Sequence, residues 1–479
     1  MVKRRPSVPI DSDDLQLLDA MGAEIDRRQT MRRRLRRYAS GDHPVPEHVT
    51  HAELEAEYKE LMAQAITNWP ELIIKAVSQR LAVSGFRFAD QALADEAWSH
   101  WQFNRMDQRA RLIDDAALID GRAYAIVWND AAGRPTVYVE DSSTTIVAYD
   151  TSGDRVAALR RWKEGERWYA TLYRPGSISK FIGPEKSSVA PSGDKWQRRE
   201  VPGEPWPLTS RLQAIPVVEY AVNGSLGGGQ FGSAAGEFER VLPIIDRINT
   251  TVFSGLLAQT YSAFPVRALI GDKIRYEAKR DAAGELVLDA DGNQIMEPVA
   301  PVQLAVNRLI QIENKDGKLV QLPEAQLDNY IKFAESHIRH LAAITQTPAH
   351  YLLGEMVNLS ADAIRAAEAG LISKVRAHQV DLGESHEEVV RLLLLVDNPD
   401  REIPDDVETR WRDAESRSLA ERADAAVKLA SINMPWQVIG EMVLGMSAQE
   451  ITRAQASAGA DALNRLIAAG GTEAEPIAA

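Results

Sequence analysis

The sequence predicts an α+β fold, and three observations carry that reading. Residues 15–120 are patterned for helices, and residues 121–182 hold six short β-prone runs parted by Gly-containing turns. Two apolar-striped helices, 237–261 and 324–346, bracket a small β-rich insert, 262–323. At 479 residues the chain exceeds what one core usually organises, so two to four domains are expected.

Composition narrows the function. With 45% hydrophobic and 26% charged residues the chain has ordinary globular character, neither disordered nor fibrous. Its uninterrupted apolar runs, such as Leu392 to Val396, are too short to span a bilayer, so no membrane partner is expected. Met1 to Ile10 lacks the apolar stretch of a signal peptide, and the absence of cysteine excludes disulfides and thiolate metal sites; both point to synthesis in a reducing cytoplasm. The glycosylation patterns at Asn249 and Asn358 are then coincidental. A net charge of −14, from 55 basic and 69 acidic residues, disfavours tight sequence-independent DNA binding.

Taken in order, the first helix runs from Leu15 to Tyr38 and carries the one basic cluster, including Arg32, Arg33, Arg34, Arg36 and Arg37. These arginines either meet phosphate or an acidic partner, or form a helix face paired with acidic neighbours. Gly41, Pro44 and Pro46 end that helix, and Thr50 with Glu53 makes a capping box for a second, to about Asn68. Helices follow over Ile73 to Ala82 and Gln91 to Asp120. From Gly121 the texture is that of an antiparallel sheet, with runs at 123–128, 136–139, 145–149, 156–162, 168–173 and 177–181. Residues 183–211 read as a long loop before a strand from Pro216 to Ala221.

In the helix from Glu237 to Tyr261, Val241, Ile245, Ile248, Val252 and Leu256 form one stripe; in that from Ala325 to Thr345, Leu327, Ile331, Ala334, Ile338 and Leu341 do the same. Between them lie β-prone runs at 265–270, 286–288 and 309–313. The loop Thr347 to Leu359 is long for a connection and is therefore a functional candidate. A long helix spans Ser360 to Val396, followed by a strand at 408–413 and helices from Ser418, Trp436 and Ser447; the tail from Gly470 is expected to be disordered.

No catalytic constellation emerges, and no enzyme activity, cofactor or metal is expected. The turn Gly227-x-Gly229-x-x-Gly232 follows a strand and precedes a helix, but no βαβ alternation accompanies it, so a flexible hinge is favoured over a nucleotide site. Glu335, His337 and His340 share one helix but lack the further ligands a metal requires. Walker, HExxH and GxSxG motifs are absent.

Several stretches, in a fixed order, resemble the portal proteins of tailed bacteriophages, of the siphovirus type seen in actinobacteriophages: Tyr38-Ala39-Ser40-Gly41-Asp42-His43-Pro44, Asp120-Gly121-Arg122-Ala123-Tyr124, Pro216-Val217-Val218-Glu219-Tyr220, Ile245-Asp246-Arg247-Ile248-Asn249, Asn358-Leu359-Ser360-Ala361-Asp362-Ala363, and Trp411-Arg412-Asp413 with Arg417-Ser418 and Ala420-Glu421. That resemblance implies a virion protein forming a ring, expected to be a homododecamer, at one capsid vertex, with double-stranded DNA passing through its axis during genome packaging and ejection. It implies a wing (1–236), two stem helices (237–261 and 324–346), a clip (262–323), a tunnel loop (347–359), a long wing helix (360–399) and a helical crown with its tail (400–479). The implied partners are the terminase large subunit, a head-to-tail adaptor, the major capsid protein and scaffold. Channel contacts would come from Thr347, His350, Tyr351, Leu352, Leu353, Glu355, Met356 and Asn358. Lys332, His337, Arg339 and His340 would either face the channel or pair with Asp328 and Glu335 between subunits, and the arginine cluster would meet capsid, scaffold or DNA. Twelve copies would sum to about −168, a charge suited to DNA that slides. A nucleotide-binding enzyme using 227–232 and another head or tail morphogenesis protein are the alternatives.

Overall fold

The computed structural model describes residues 11–43, 56–262, 267–270, 276–279, 285–288, 292, 294–298, 318–321, 326–354, 361–415, 419–446 and 450–458. The chain divides into two compact units: Met1–His51, Ile66–Ile248 and Glu335–Ala479 make the first, Ala52–Ala65 and Asn249–Ala334 the second.

In the first unit, helix α1 (Ser12–Ala39) starts where the Asp11 side chain accepts the Asp13 amide, and acidic Asp13 and Asp14 suit the positive end of the helix. Its stripe of Leu18, Met21 and Ile25 packs on one face of a six-stranded antiparallel sheet, with β4 (Thr145–Tyr149), β5 (Arg155–Glu164), β6 (Arg167–Arg174) and β7 (Ser177–Ile182) as its main strands. The two-residue β8 (Gln197–Arg198) and β9 (Leu208–Thr209), from the segment expected to be a loop, both pair with β7. Successive side chains of a strand point to opposite faces, so Ile146 and Ala148 meet α1 while Val147 meets a second core with Tyr124, Ile126 and Val217. That second core is shared with another sheet, ordered β10 (Val217–Ala221), β2 (Arg122–Asn129), β3 (Pro135–Asp141). The single sheet expected from the spacing of the β runs is therefore two. The chain changes sheets at Ser142–Thr144, where Asp141 accepts the Ser143 amide at 2.7 Å in a tight turn.

Three other expectations shift for local reasons. The helix expected over Gln91 to Asp120 is two, α4 (Gln91–Phe103) and α5 (Met106–Asp120). At the break Asn104 bonds the β3 backbone at Pro135 and Val137, and Arg105 takes a left-handed φ of 52°. The helix expected over Ile73 to Ala82 is α3 (Trp69–Ser78), begun by an Asn68 cap that accepts the Glu71 amide. It leads into β1 (Val83–Arg87), a strand with little sequence signature; β1 pairs antiparallel with β15 (Glu408–Trp411), more than 300 residues away. The capping box at Thr50 and Glu53 lies outside the described residues, and helix α2 (Ala56–Ala65) follows it.

The helix expected from Glu237 begins as α6 (Leu242–Ser262) after a single 3₁₀ turn. Upstream, Gly236 lies so close to α5 that a Cβ would come within 2.1 Å of the Ile119 carbonyl oxygen, and the Glu237 amide is spent on the Leu118 carbonyl at 2.8 Å. The long helix α9 (Ala361–Asp397) is 37 residues; its Leu371, Val375, Leu382, Val389, Leu392 and Leu393 are fully buried, with β10, β15, β2 and β3 among its neighbours. Helices α10 (Leu419–Ser431) and α11 (Trp436–Met442) follow β15, and residues 450–458 are helical.

In the second unit the later part of α6 and the start of α7 (Leu327–Ile344) approach closely, a Cβ at Gly255 meeting the Tyr330 side chain at 3.3 Å. Between these helices the chain forms antiparallel pairs of β11 (Arg267–Ile270) with β14 (Lys318–Gln321) and of β12 (Tyr276–Ala278) with β13 (Met296–Pro298), and Leu288 bridges Gln294. The expected run at 309–313 lies outside the described residues. By length and composition the segment Glu239–Thr260 is apolar enough to cross a membrane. Within the protein its Asp246 accepts a hydrogen bond from Tyr38 and pairs with Arg34, and Asn249 and Thr251 are buried, which is the pattern of a helix packed on protein.

Candidate functional site

The first unit carries a buried ionic cluster where three segments meet. Glu237, placed by the tight Gly236 turn, accepts from Lys374 Nζ at 2.9 Å, pairs with His378 Nε2 at 2.7 Å and accepts from Asn223 Nδ2 at 3.0 Å. Lys374 and His378 are one turn apart on α9, so both reach the same carboxylate. Burial alone would push the Glu237 carboxyl up; the His378 hydrogen bond and the Lys374 charge outweigh it and hold the group at about 2. Lys374 also donates to the Thr345 carbonyl at 2.7 Å, just beyond the end of α7, where a helix presents bare carbonyls and favours a cation. One lysine thus ties together the entry to α6, the exit from α7 and the middle of α9. A cavity of about 400 Å³ opens beside the cluster, lined by Arg240, Gln346, Ser373 and Asp381 among others.

The candidate loop begins immediately after. Thr345 Oγ1 bonds the Leu341 carbonyl at 2.8 Å and Thr347 Oγ1 at 3.0 Å, Gln346 adopts φ 51°, and the Thr347 amide returns to Ala342. A short helix, α8 (Ala349–Leu353), then occupies the first part of the segment and ends at Gly354 with φ 69°. It is pinned from two sides: the Tyr351 hydroxyl donates to Glu368 of α9 at 2.6 Å and accepts from Arg80 Nη2 at 3.0 Å. Thr347 and Leu352 are buried, Tyr351, His350 and Leu353 half-buried, and the His350 ring packs edge-on against Tyr351. Glu355, Met356 and Asn358 lie outside the described residues.

On α7 the four singled-out residues divide. His337 is buried, and burial with the nearby Arg247 charge lowers its affinity for a proton; the His340 ring lies 6.1 Å from it. Lys332 and Arg339 are exposed, and Arg339 pairs with Glu335 of its own helix at 3.1 Å.

The arginine cluster of α1 is largely committed within the subunit. Arg32 reaches Asp141 at 2.6 Å, Arg36 reaches buried Asp120 at 2.7 Å, Arg34 pairs with Asp246, and Arg37 with Asp42 at 2.8 Å. Arg33 is exposed and has no carboxylate partner among the described residues. The turn at 227–232 is also resolved. It closes on itself through a 3₁₀ turn, Gly229–Phe231, and nine residues of chain separate Gly232 from α6, so its amides do not sit at a helix N-terminus as a phosphate site demands.

Sequence reasoning missed Glu237, Lys374, His378, Arg80 and Glu368. The only local signal was the i, i+4 spacing of Lys374 and His378 on an otherwise apolar stripe.

The phage portal protein family, SPP1 Gp6-like, matches residues 20–461. The chain belongs to that family. The portal protein of Mycobacterium phage D29 is 27% identical over 440 residues, covering 86% of this chain and 81% of that one. The portal protein of Mycobacterium phage L5 is 27% identical over 405 residues, covering 78% and 74%. Among solved structures, a chain from the "Neck of empty GTA particle computed with C6 symmetry" is similar over 81% of this chain and 88% of its own, at 12% identity and a TM-score of 0.40. As a family member the chain is a phage portal protein, a structural component of the virion, and that membership favours a structural over an enzymatic role.

Proposed function

We propose that this portal protein works as a closed ring, of about twelve copies, whose axis passes double-stranded DNA into and out of the capsid. In this reading α6 and α7 are the stem, 262–323 the clip that meets the terminase large subunit and later the head-to-tail adaptor, and 347–359 the tunnel loop. Residues 1–236 with α9 make the wing against major capsid protein and scaffold, and 400–479 the crown. Synthesis is in the bacterial cytoplasm before incorporation at the portal vertex.

The observation that carries the reading is the surface of α7. At about 100° per residue, Tyr330, Ala334, His337, Ile338 and Leu341 form the packed stripe. Ile331 is 55% exposed on one flank, and Phe333 and Ile344, 55% and 59% exposed, lie on the other, roughly 70–90° from the stripe's centre. Asp328, Lys332, Glu335 and Arg339 occupy the ridge facing away from the stripe. A helix with two exposed apolar flanks and a charged ridge between them fits a ring in which each copy is covered by a neighbour on both sides. The ridge mixes signs, which suits DNA that must move rather than stick.

The tunnel loop is carried by His350, Leu353 and the segment from Glu355 onward, with Tyr351 as its anchor and Thr347 and Leu352 as its root in the subunit. Arg33, exposed and without a carboxylate partner among the described residues, is the member of the α1 cluster for a capsid, scaffold or DNA contact. Native mass measurement of the purified chain, with particle images viewed down the axis, tests the reading: closed rings with an open centre are expected, and a stable monomer or dimer overturns it. Phage carrying a shortened 355–359 segment should assemble rings but fail to retain packaged DNA; normally filled heads would refute the loop's assignment.

A further inference from the structure

One cluster of metal-ligating side chains stands apart from everything described so far. Glu96 and His100 are one turn apart on α4 and present the same face; Asp397, the last residue of α9, comes to meet them. One ligand atom from each lies within 4.8 Å of the other two. A tetrahedral ion with bonds of about 2.1 Å holds its ligand atoms about 3.4 Å apart; His100 Nε2 and Glu96 Oε1 stand 4.0 Å apart, so closing the site takes a turn of the Glu96 side chain as well as of Asp397, which is exposed at a helix end.

The electrostatics favour a cation. Two carboxylates bring formal charge −2, and both contributing helices end here: His100 lies in the last turn of α4, and Asp397 closes the 37-residue α9. Two negative helix ends therefore add to the two carboxylates. A cation already takes advantage of this field, since Arg401 places Nη1 2.7 Å from Glu96 Oε1, with its side chain 28% exposed.

We propose that Glu96, His100 and Asp397 form a divalent transition-metal site, of the zinc, cobalt or nickel class, in which the ion displaces Arg401 from Glu96 and clamps α4 to the end of α9. One imidazole with two carboxylates selects such ions over magnesium or calcium, which favour all-oxygen shells. With three protein ligands the ion keeps an open position for water or for a side chain of a neighbouring molecule.

The test uses the full untagged chain, titrated with Co²⁺ and Zn²⁺. Expected are the visible absorption bands of tetrahedral or five-coordinate cobalt, bleached by zinc, and a rise in the thermal midpoint with Zn²⁺ that EDTA reverses. H100A should weaken binding by more than about tenfold, the scale at which even outer-shell partners act. R401Q should tighten binding, because it removes the competing cation without touching a ligand. Absence of cobalt bands, or bands that H100A and D397N leave unchanged while both variants keep their far-ultraviolet dichroism, overturns the site.

Discussion

Replacing Glu237 by Gln tests whether the Glu237–Lys374–His378 cluster holds the α6 entry, the α7 exit and α9 together. The carboxyl is held at about 2 against an ordinary value of 4.5. At about 1.4 kcal/mol per pKa unit, that difference is about 3 kcal/mol of native-state stabilisation. Because the folded-state value is depressed, the contribution is fully present above 4.5 and is lost as pH falls toward 2. E237Q keeps the shape but removes the charge, leaving Lys374 and His378 facing a neutral amide, so it should cost about 3 kcal/mol near pH 7.5. Urea titrations followed by tryptophan fluorescence read the midpoint, and amide hydrogen exchange in α9 localises the loss. The gap between E237Q and wild type should be constant above about pH 5 and shrink below pH 4. A midpoint unchanged near pH 7.5, or a gap that persists undiminished at about pH 3, would refute the reasoning.

Three further outcomes are expected. Asp114 and His386 form a buried pair 3.9 Å apart; burial and Asp115 push the Asp114 carboxyl well up, and burial pushes the His386 imidazole down to about 3, so the native pair favours a protonated carboxyl beside a neutral imidazole. A raised carboxyl weakens the native state as pH rises toward its folded value, and D114N should flatten that loss in pH-dependent urea unfolding. Tyr351→Phe removes the bonds to Glu368 and Arg80, leaving the global midpoint within about 1 kcal/mol of wild type while raising hydrogen exchange in α8 severalfold. Ile331→Asp and Ile344→Asp place charge on opposite exposed flanks of α7; each should shift native mass from rings toward monomers without altering the subunit's far-ultraviolet dichroism.

The portal family was legible because the resemblance rests on backbone-dictated stretches: glycines at forced turns such as Gly121, with φ 80° and Ala235 backbone 2.9 Å from where a Cβ would sit, and caps and strand runs in fixed order. The main strands of the two sheets were likewise legible, since strand runs and turn residues act over a handful of positions, whereas Gln197–Arg198 and Leu208–Thr209, two residues each, pair with β7 inside the segment read as a long loop. The division of the main strands into two sheets was not, because β2, β4 and β5 are apolar on both faces and alternation cannot say which core each face meets. Three of the cluster arginines, Arg32, Arg34 and Arg36, show the same boundary. Their charge was plain in the sequence, yet which carboxylates answer them was decided by elements as distant as Asp141, Asp246 and Asp120.

The ionic cluster marks the limit most clearly. Glu237 stands 137 residues from Lys374 and 141 from His378, and nothing local distinguishes it from the neighbouring Glu239. The sequence by itself determined where most helices and the main strands form and in what order, because capping, periodicity and turn chemistry act within a few residues. Only the tertiary structure decided which charges are buried together, because desolvation and pairing depend on what surrounds a side chain in space, and that is set by the packing of the whole chain.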